Sequence, residues 1–281
     1  QKLDSELSEA NQLAKQIGGL FKEGKAAEAN ELKERTKALK ESSHLLKEQL
    51  SQIEEKQLDK LYHLPNVPNA LVPAGATEDD NEVVEEGGPV HNFDCEPLPH
   101  WDLAKKYGLI DFELGVKISG AGFPVYQGKG AKLQRAMINF FLDEAEEAGY
   151  SEVIPPHLVN EASGIGTGQL PDKEGQMYHM QDDDLYLIPT AEVPITNIYR
   201  DVIVKEEDFP IKNCGYTPCF RREAGSYGKD VRGLNRLHQF DKVEIVQIQH
   251  PSASYEALDE MVAHVKQLLE KLGLQYRILR L

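Results

Sequence analysis

Apolar residues along the first 62 positions recur at alternating steps of three and four. Leu3, Leu7, Ala10, Ala14, Ile17 and Phe21 form the seam of a coiled-coil helix over residues 1–22. Gly18, Gly19 and Gly24 loosen that helix and offer a turn. A second helix is predicted over 26–62, with Leu32, Leu39, Leu46 and Ile53 seven residues apart and Leu50 between them. Two helices joined by so short a connection pair antiparallel. At about 1.5 Å per residue the second runs roughly 55 Å and the first only about 33 Å. Leu46, Leu50 and Ile53 then lack a partner, which predicts a segment ahead of Gln1 that continues the first helix.

Past residue 63 the period is lost. Residues 64–98 are rich in proline, glycine and acids and read as a linker, with a solvated acidic loop at 77–96 that holds no Lys or Arg. From 99 the pattern becomes that of a globular domain running to 281. WDLAKKYG reads as a short helix and VKISGAGFPVYQG as strand and turn. A helix follows with Leu133, Met137, Phe140, Phe141 and Ala145 on one face, closing at Gly149. YSEVIPPHLV is a strand broken at Pro155 and Pro156. Residues 164–184 show no period and read as a mobile loop. LYLIPTAEVPITNIYR reads as strand, turn and helix, with Thr190 and Glu192 in a helix-capping pattern. An amphipathic helix then turns Leu258, Met261, Val262, Val265, Leu268 and Leu272 inward and ends at Gly273, and YRILRL is a strand. Strands and helices without strict βαβ alternation are compatible with an α+β domain.

Residues 215–248 read as a strand, a glycine-containing loop and a strand returning antiparallel. Period-2 alternation puts Cys219, Arg221 and Glu223 on one face of the first strand. It puts Phe240, Lys242, Glu244, Val246 and Ile248 on one face of the second, with Leu237 at its entrance. An arginine fork suits phosphate or carboxylate oxygens, and an aromatic face can stack on a base. Those residue types suit a nucleotide site. They equally suit a hairpin whose Arg221 and Glu223 pair with neighbouring charges while Phe240 fills a core.

Charge and cysteines narrow the class. The formal net charge of −16 over 281 residues excludes a general nucleic-acid-coating protein, though a local basic face remains open to RNA. Lys15, Lys22, Lys25, Lys33, Arg35, Lys37 and Lys40 surround the arm's tip, yet Lys and Glu interleave there as on any solvated helix. Cys95, Cys214 and Cys219 have neither even number nor C-x2-C spacing, as expected of free thiols. Gly120, Gly122, Gly128 and Gly130 match neither the dinucleotide fingerprint, since Val125 stands where glycine is needed, nor a P-loop. The nine histidines offer no metal-binding spacing. No apolar run approaches the roughly 18 residues of a membrane span. The absence of an initiator Met and the end inside a strand suggest a fragment.

FRREAG followed by RGLNRLHQFDKVE resembles motif 2 of the class II aminoacyl-tRNA synthetases in its seryl-tRNA synthetase form. PTAEVPITN at 189–197, GTGQLP at 166–171 and LPNVPNALVPAG at 64–75 resemble the same family in the same order. The resemblance covers almost the whole chain. It implies an antiparallel β-sheet flanked by helices, preceded by an antiparallel two-helix coiled-coil arm. The domains are then a tRNA-gripping arm at 1–63, a linker at 64–98 and a catalytic domain at 99–281. The implied activity is a cytoplasmic serine-tRNA ligase that uses ATP and Mg2+ to make seryl-adenylate and loads serine tRNA, with selenocysteine tRNA left open as a second acceptor. The resemblance implies no membrane or DNA partner.

Residue by residue, the resemblance makes Arg221 the catalytic cation, holding the α-phosphate and the serine carboxylate. Arg221, Arg222, Glu223, Arg236, Leu237 and Phe240 bind ATP, with Phe240 under adenine, Arg236 on the γ-phosphate and Arg222 offering only backbone. Thr190, Ala191, Glu192, Arg221 and Glu244 bind L-serine, Glu244 taking its ammonium. Lys22, Lys25, Lys33, Arg35, Lys229 and Arg232 contact tRNA, the last two from the loop at 224–235. The pair formed by the 131–149 helix and the strand holding Pro156 resembles motif 1 and implies a homodimer. Motif 3 and its acidic magnesium ligands are expected beyond Leu281, so no metal ligand falls in this chain and the isolated piece is expected to show no pyrophosphate exchange.

Other readings stay open. A relative that loads amino acids onto carrier proteins would share the core but not the arm. A catalytically silent, synthetase-like binding or regulatory protein would keep the arm for partners. A structural coiled-coil protein with an unrelated domain would not carry four ordered motifs.

Overall fold

A computed structural model describes residues 1–172, 174–223 and 232–281. The chain divides into two compact units, residues 1–67 and 68–281. The first is a helical hairpin, α1 (Lys2–Lys22) and α2 (Ala26–Tyr62). Gly18 and Gly19 remain helical, and the reversal falls at residues 23–25, where Gly24 takes φ +77° that a side chain would resist.

The seam differs from the expected one by a single position. Ala10 and Leu13 are buried, flanked by the half-buried Leu3, Glu6, Ile17 and Leu20, whereas Leu7 and Phe21 stay exposed. On α2 the half-buried leucines 32, 39 and 46 alternate with the small buried residues Ala29, Thr36 and Ser43. Small residues on one helix let the other approach closely, and the facing row settles which neighbouring stripe turns inward. The Thr36 hydroxyl satisfies itself by donating to the Leu32 carbonyl at 2.7 Å. Residues 51–62 of α2 are exposed throughout, Ile53 among them.

In the second unit the acidic stretch is not simply loop. It supplies β1 (Glu82–Gly87), which pairs antiparallel with the C-terminal β10 (Tyr276–Arg280) and sets Glu82 against Arg280 and Glu85 against Lys266. Charges without basic neighbours in sequence find them on distant elements. In chain order, α3 (His100–Tyr107), β2 (Ile110–Asp111), α4 (Phe112–Ile118) and β3 (Val125–Tyr126) follow. Residues 116–118, expected in a strand, lie in α4, whose first turn is capped by Asp111 accepting from Leu114 N. Next come α5 (Gly128–Glu147), β4 (Ser151–Glu152), β5 (Leu158–Val159) and α6 (Glu161–Gly166). They are followed by β6 (His179–Met180), β7 (Leu185–Leu187), α7 (Glu192–Asn197), β8 (Ile211–Phe220), β9 (Gln239–Ile248) and α8 (Ser254–Lys271).

The segment expected as a mobile loop therefore holds the end of α6 and the strand β6. The Asp172 carboxylate ties it further by accepting from Gln176 N and Met177 N. On α8 the inward stripe runs through Ala257, Met261 and Leu268, with His264 among them, while Leu258 and Val265 are about half exposed. His264 takes an inward place because its ring meets Tyr150.

The central sheet orders its strands β4-β8-β9, with β8 antiparallel to β9 and the two-residue β4 parallel to β8. Its back face packs on α5 through Ala145, Tyr150, Leu142, Cys214 and Ile245. Its front face meets α7 where Ala191 and Ile195 cover Val246 and Ile248. Gly215, at the crossing of β8 with its neighbours, admits close approach: a Cβ there would lie 2.5 Å from Val153 O and 2.9 Å from Ile195 Cδ1.

Candidate active site

Register decides what the front face presents. Cys219 lies opposite Phe240, Thr217 opposite Lys242 and Gly215 opposite Glu244. Directly opposed residues of antiparallel strands share a face, so the small Gly215, Thr217 and Cys219 floor a surface on which Phe240, Lys242 and Glu244 stand at intervals of about 7 Å. Thr217 and Cys219 are fully buried. Burial pushes the Cys219 thiol up, against the pull of nearby Lys242 and Arg221.

The first strand ends sooner than the alternation suggests. β8 stops at Phe220, and Glu223 has φ +48°, so Arg221 and Glu223 reach the same cleft from beyond the strand's end rather than from one strand face. Arg221 N donates to His238 O and Arg222 N to Gln176 O. The Arg222 side chain is exposed and is not among the residues that line the cleft.

That cleft encloses about 430 Å³ between Arg221, Glu223, Leu234, Arg236, Leu237 and Phe240. Arg221 lies over the Phe240 ring at 5.2 Å. Arg236 Nη1 donates to Glu223 Oε2 at 2.9 Å. Five of the six residues expected to hold a nucleotide thus share one cavity, with Arg222 outside it. A tighter cavity of about 170 Å³ shares Phe240, but its one carboxylate, Asp241, already accepts from Tyr216 at 2.7 Å and Gln134 at 2.9 Å. Burial, and then that hydrogen bond, push the Tyr216 phenol far up.

Next along the strand lies a second polar cluster. Thr190 Oγ1 donates to Glu244 Oε2 at 2.7 Å and accepts from Glu192 N at 3.2 Å and from Lys242 Nζ at 3.0 Å. Lys242 and Glu244 form an ion pair at 2.6 Å. The capping pattern is therefore present one position early: the helix starts after Ala191, and Thr190 supplies the acceptor. Ala191 is fully buried and packs beneath the cluster, and the Glu192 side chain is exposed.

Three contributors escape a reading of the sequence. Lys242 was visible only as one charge on an alternating face, and its partner on residue 190 is 52 positions away. His238 Nδ1 bonds Tyr178 Oη at 2.8 Å while its ring stacks on Phe123 at 5.2 Å, which fixes the backbone that holds Arg221. His100 Nε2 accepts from Leu234 N at 2.7 Å and ties the cleft's rim to α3.

The remaining expected contacts are dispersed. In the arm, Lys25 pairs with Glu23 at 3.0 Å, Arg35 pairs with Glu9, Lys33 lies over Phe21 at 4.7 Å, and Lys22 is exposed. Arg232 is exposed, and Lys229 lies outside the described residues. Among the described residues no three acidic, His or Cys side chains gather as a metal site, and no helix is long and apolar enough to cross a membrane.

Residues 1–68 match the seryl-tRNA synthetase N-terminal domain, and residues 176–281 match the tRNA synthetase class II core domain (G, H, P, S and T). A serine–tRNA ligase of Salinibacter ruber is 52% identical over 96% of this chain and 63% of its own length. One from Sulfurovum sp. is 47% identical over all of this chain and 67% of its own. The crystal structure of seryl-tRNA synthetase from Pyrococcus horikoshii complexed with ATP superposes with a TM-score of 0.83 at 31% identity, covering 99% of this chain and 66% of that one. The chain spans about 63% of the length of the Salinibacter relative.

Proposed function

This chain belongs to the seryl-tRNA synthetase family, and from that premise we propose that it activates L-serine with ATP and passes the seryl group to the terminal adenosine of serine tRNA. The carrying observation is the order of groups along one strand face. Arg221 lies on Phe240, Lys242 follows, and Glu244 with Thr190 comes next. A base on Phe240 would bring the α-phosphate towards Arg221, while an amino acid whose ammonium rests on Glu244 turns its carboxylate back towards the same cation.

The serine carboxylate is ionised at neutral pH and needs no base. One of its oxygens bonds to the α-phosphorus, the bond from phosphorus to the bridging oxygen breaks, and pyrophosphate leaves. Both reactants are anions, so alignment and neutralisation by Arg221 carry the step. Glu223 and Arg236, paired in this structure, border the cleft where the base and outer phosphates would lie. Magnesium belongs with the bound ATP. The described residues supply no cluster of ligands for it, and no step here depends on it.

In the transfer step a hydroxyl of the tRNA's terminal ribose attacks the seryl carbonyl and AMP departs. The arm is the proposed grip on the tRNA, with Lys22, Lys25, Lys33 and Arg35 near its tip. The proposed homodimer forms through α5 and the Pro156 segment, a reading supported by Leu133 at 57% and Ile154 at 85% exposure. The proposed setting is the cytoplasm.

The test is ATP–pyrophosphate exchange by the full-length protein with serine, threonine, alanine and glycine. Serine alone should support it, and Arg221→Ala should lower it by roughly 100- to 1000-fold, the cost of losing a key transition-state donor. Tight ATP or tRNA binding without exchange for any amino acid would instead identify a catalytically silent relative.

A further inference from the structure

The hydrogen-bond inventory at Thr190 has a single solution. A lysine ammonium and a backbone N–H can only donate, and a hydroxyl has one proton and two lone pairs. Glu192 N and Lys242 Nζ therefore take both lone pairs of Thr190 Oγ1. Its proton has one place to go, Glu244 Oε2 at 2.7 Å. Lys242 contributes again by sitting 2.6 Å from that same oxygen. Oε2 is thus engaged twice, whereas Oε1 has no hydrogen-bond partner among the described residues. Thr190 is buried, and the Glu244 side chain is only 17% exposed, so water competes weakly for these contacts.

We propose that Lys242 is a positioning residue of the amino-acid pocket: by locking the Thr190 proton onto Glu244 Oε2, it leaves Oε1 as the one oxygen that receives the substrate's ammonium. This rests on the function proposed above and deepens it, because it assigns the serine ammonium to a particular atom and gives the pocket's cation a task distinct from that of Arg221. Without Lys242 the Thr190 hydroxyl can rotate, Oε2 is released, and the carboxylate loses the charge that holds it in place. The effect falls on amino-acid binding. The nucleotide cleft, which Lys242 does not line, is left intact.

The experiment is pyrophosphate exchange by the full-length protein carrying Lys242→Met, which keeps the apolar stem, alongside Thr190→Val, the double variant and the unsubstituted protein. Serine KM should rise roughly 10- to 100-fold in Lys242→Met, the loss expected for hydrogen bonds to a charged group. ATP KM should stay within about twofold. The two substitutions should be strongly non-additive, because one acts through the other. An unchanged or lowered serine KM overturns the proposal, the latter showing that Lys242 occupies the substrate's place on Glu244. So does a parallel rise in both KM values, which marks a merely structural role, and so does full additivity. If the unsubstituted protein exchanges with no amino acid, the proposed function fails and takes this assignment with it. If it exchanges with serine and Lys242→Met behaves identically, only the assignment of Lys242 fails.

Discussion

Individual side chains here gain their chemistry from neighbours distant in sequence. Arg221 is a cation laid on a ring 19 positions later, and Glu244 is a carboxylate whose two oxygens differ because of Thr190 and Lys242. Burial gives the cysteines the opposite fate. The Cys214 thiol is pushed up to about 11 by burial, with Glu152 and Glu146 adding to it, and Cys219 is raised as well, while Cys95 is exposed. A raised thiol stays protonated near neutral pH, and the thiolate is the species that reacts. Titration of the native chain with a thiol reagent near pH 7.5 should therefore modify one of its three cysteines rapidly, Cys95, and all three only after unfolding. Rapid native modification of two or more would contradict the packing around β8.

Among the elements, the β8–β9 hairpin is the one on which the site depends. Its small front-face residues, Gly215, Thr217 and Cys219, leave room for Phe240, Lys242 and Glu244 to stand clear. Gly215 also lets β4 and α7 close on the strand, through Val153 O and Ile195 Cδ1. A methyl there must displace backbone, so Gly215→Ala should cost about 1–3 kcal/mol in denaturant unfolding, as overpacking of a tight core does. Wild-type stability would show that the sheet tolerates separation at this crossing. Period-2 alternation made the face of β9 legible from sequence. It failed beyond Phe220 because the strand ends there and Glu223 takes a left-handed φ, which alternation does not register. The seam of α1 was missed by one position for a related reason. Either stripe is apolar enough, and only the small residues Ala29, Thr36 and Ser43 across the interface select between them.

Across the whole molecule, charge is unevenly divided between the two units. Residues 1–67 carry eleven basic and twelve acidic side chains, whereas 68–281 carry 20 and 35. The acid excess therefore lies almost wholly in the unit with the Arg221–Phe240 cleft. A polyanionic tRNA is repelled less by the arm than by the rest, although Glu23 and Glu9 hold two of the arm's cations in pairs. Removing residues 1–67 from the full-length protein should leave serine-dependent pyrophosphate exchange within a few-fold of normal. It should lower tRNA charging by at least roughly 100-fold, the scale of losing several phosphate contacts. Equal loss of both activities would show that the arm serves the catalytic unit rather than the tRNA.

By itself the sequence determined the two arm helices, the antiparallel hairpin at 215–248, the residues of its front face and, through four ordered motifs, the family. These are properties of local periodicity and of short stretches read contiguously. Only the tertiary structure decided that residues 82–87 form a strand against residues 276–280 and that Thr190 meets both Lys242 and Glu244. The physical reason is common to both. Pairing partners, and with them the hydrogen bonds that assign a proton or a charge, lie 50 to nearly 200 residues apart, and a pattern read along the chain carries no information about what will stand opposite.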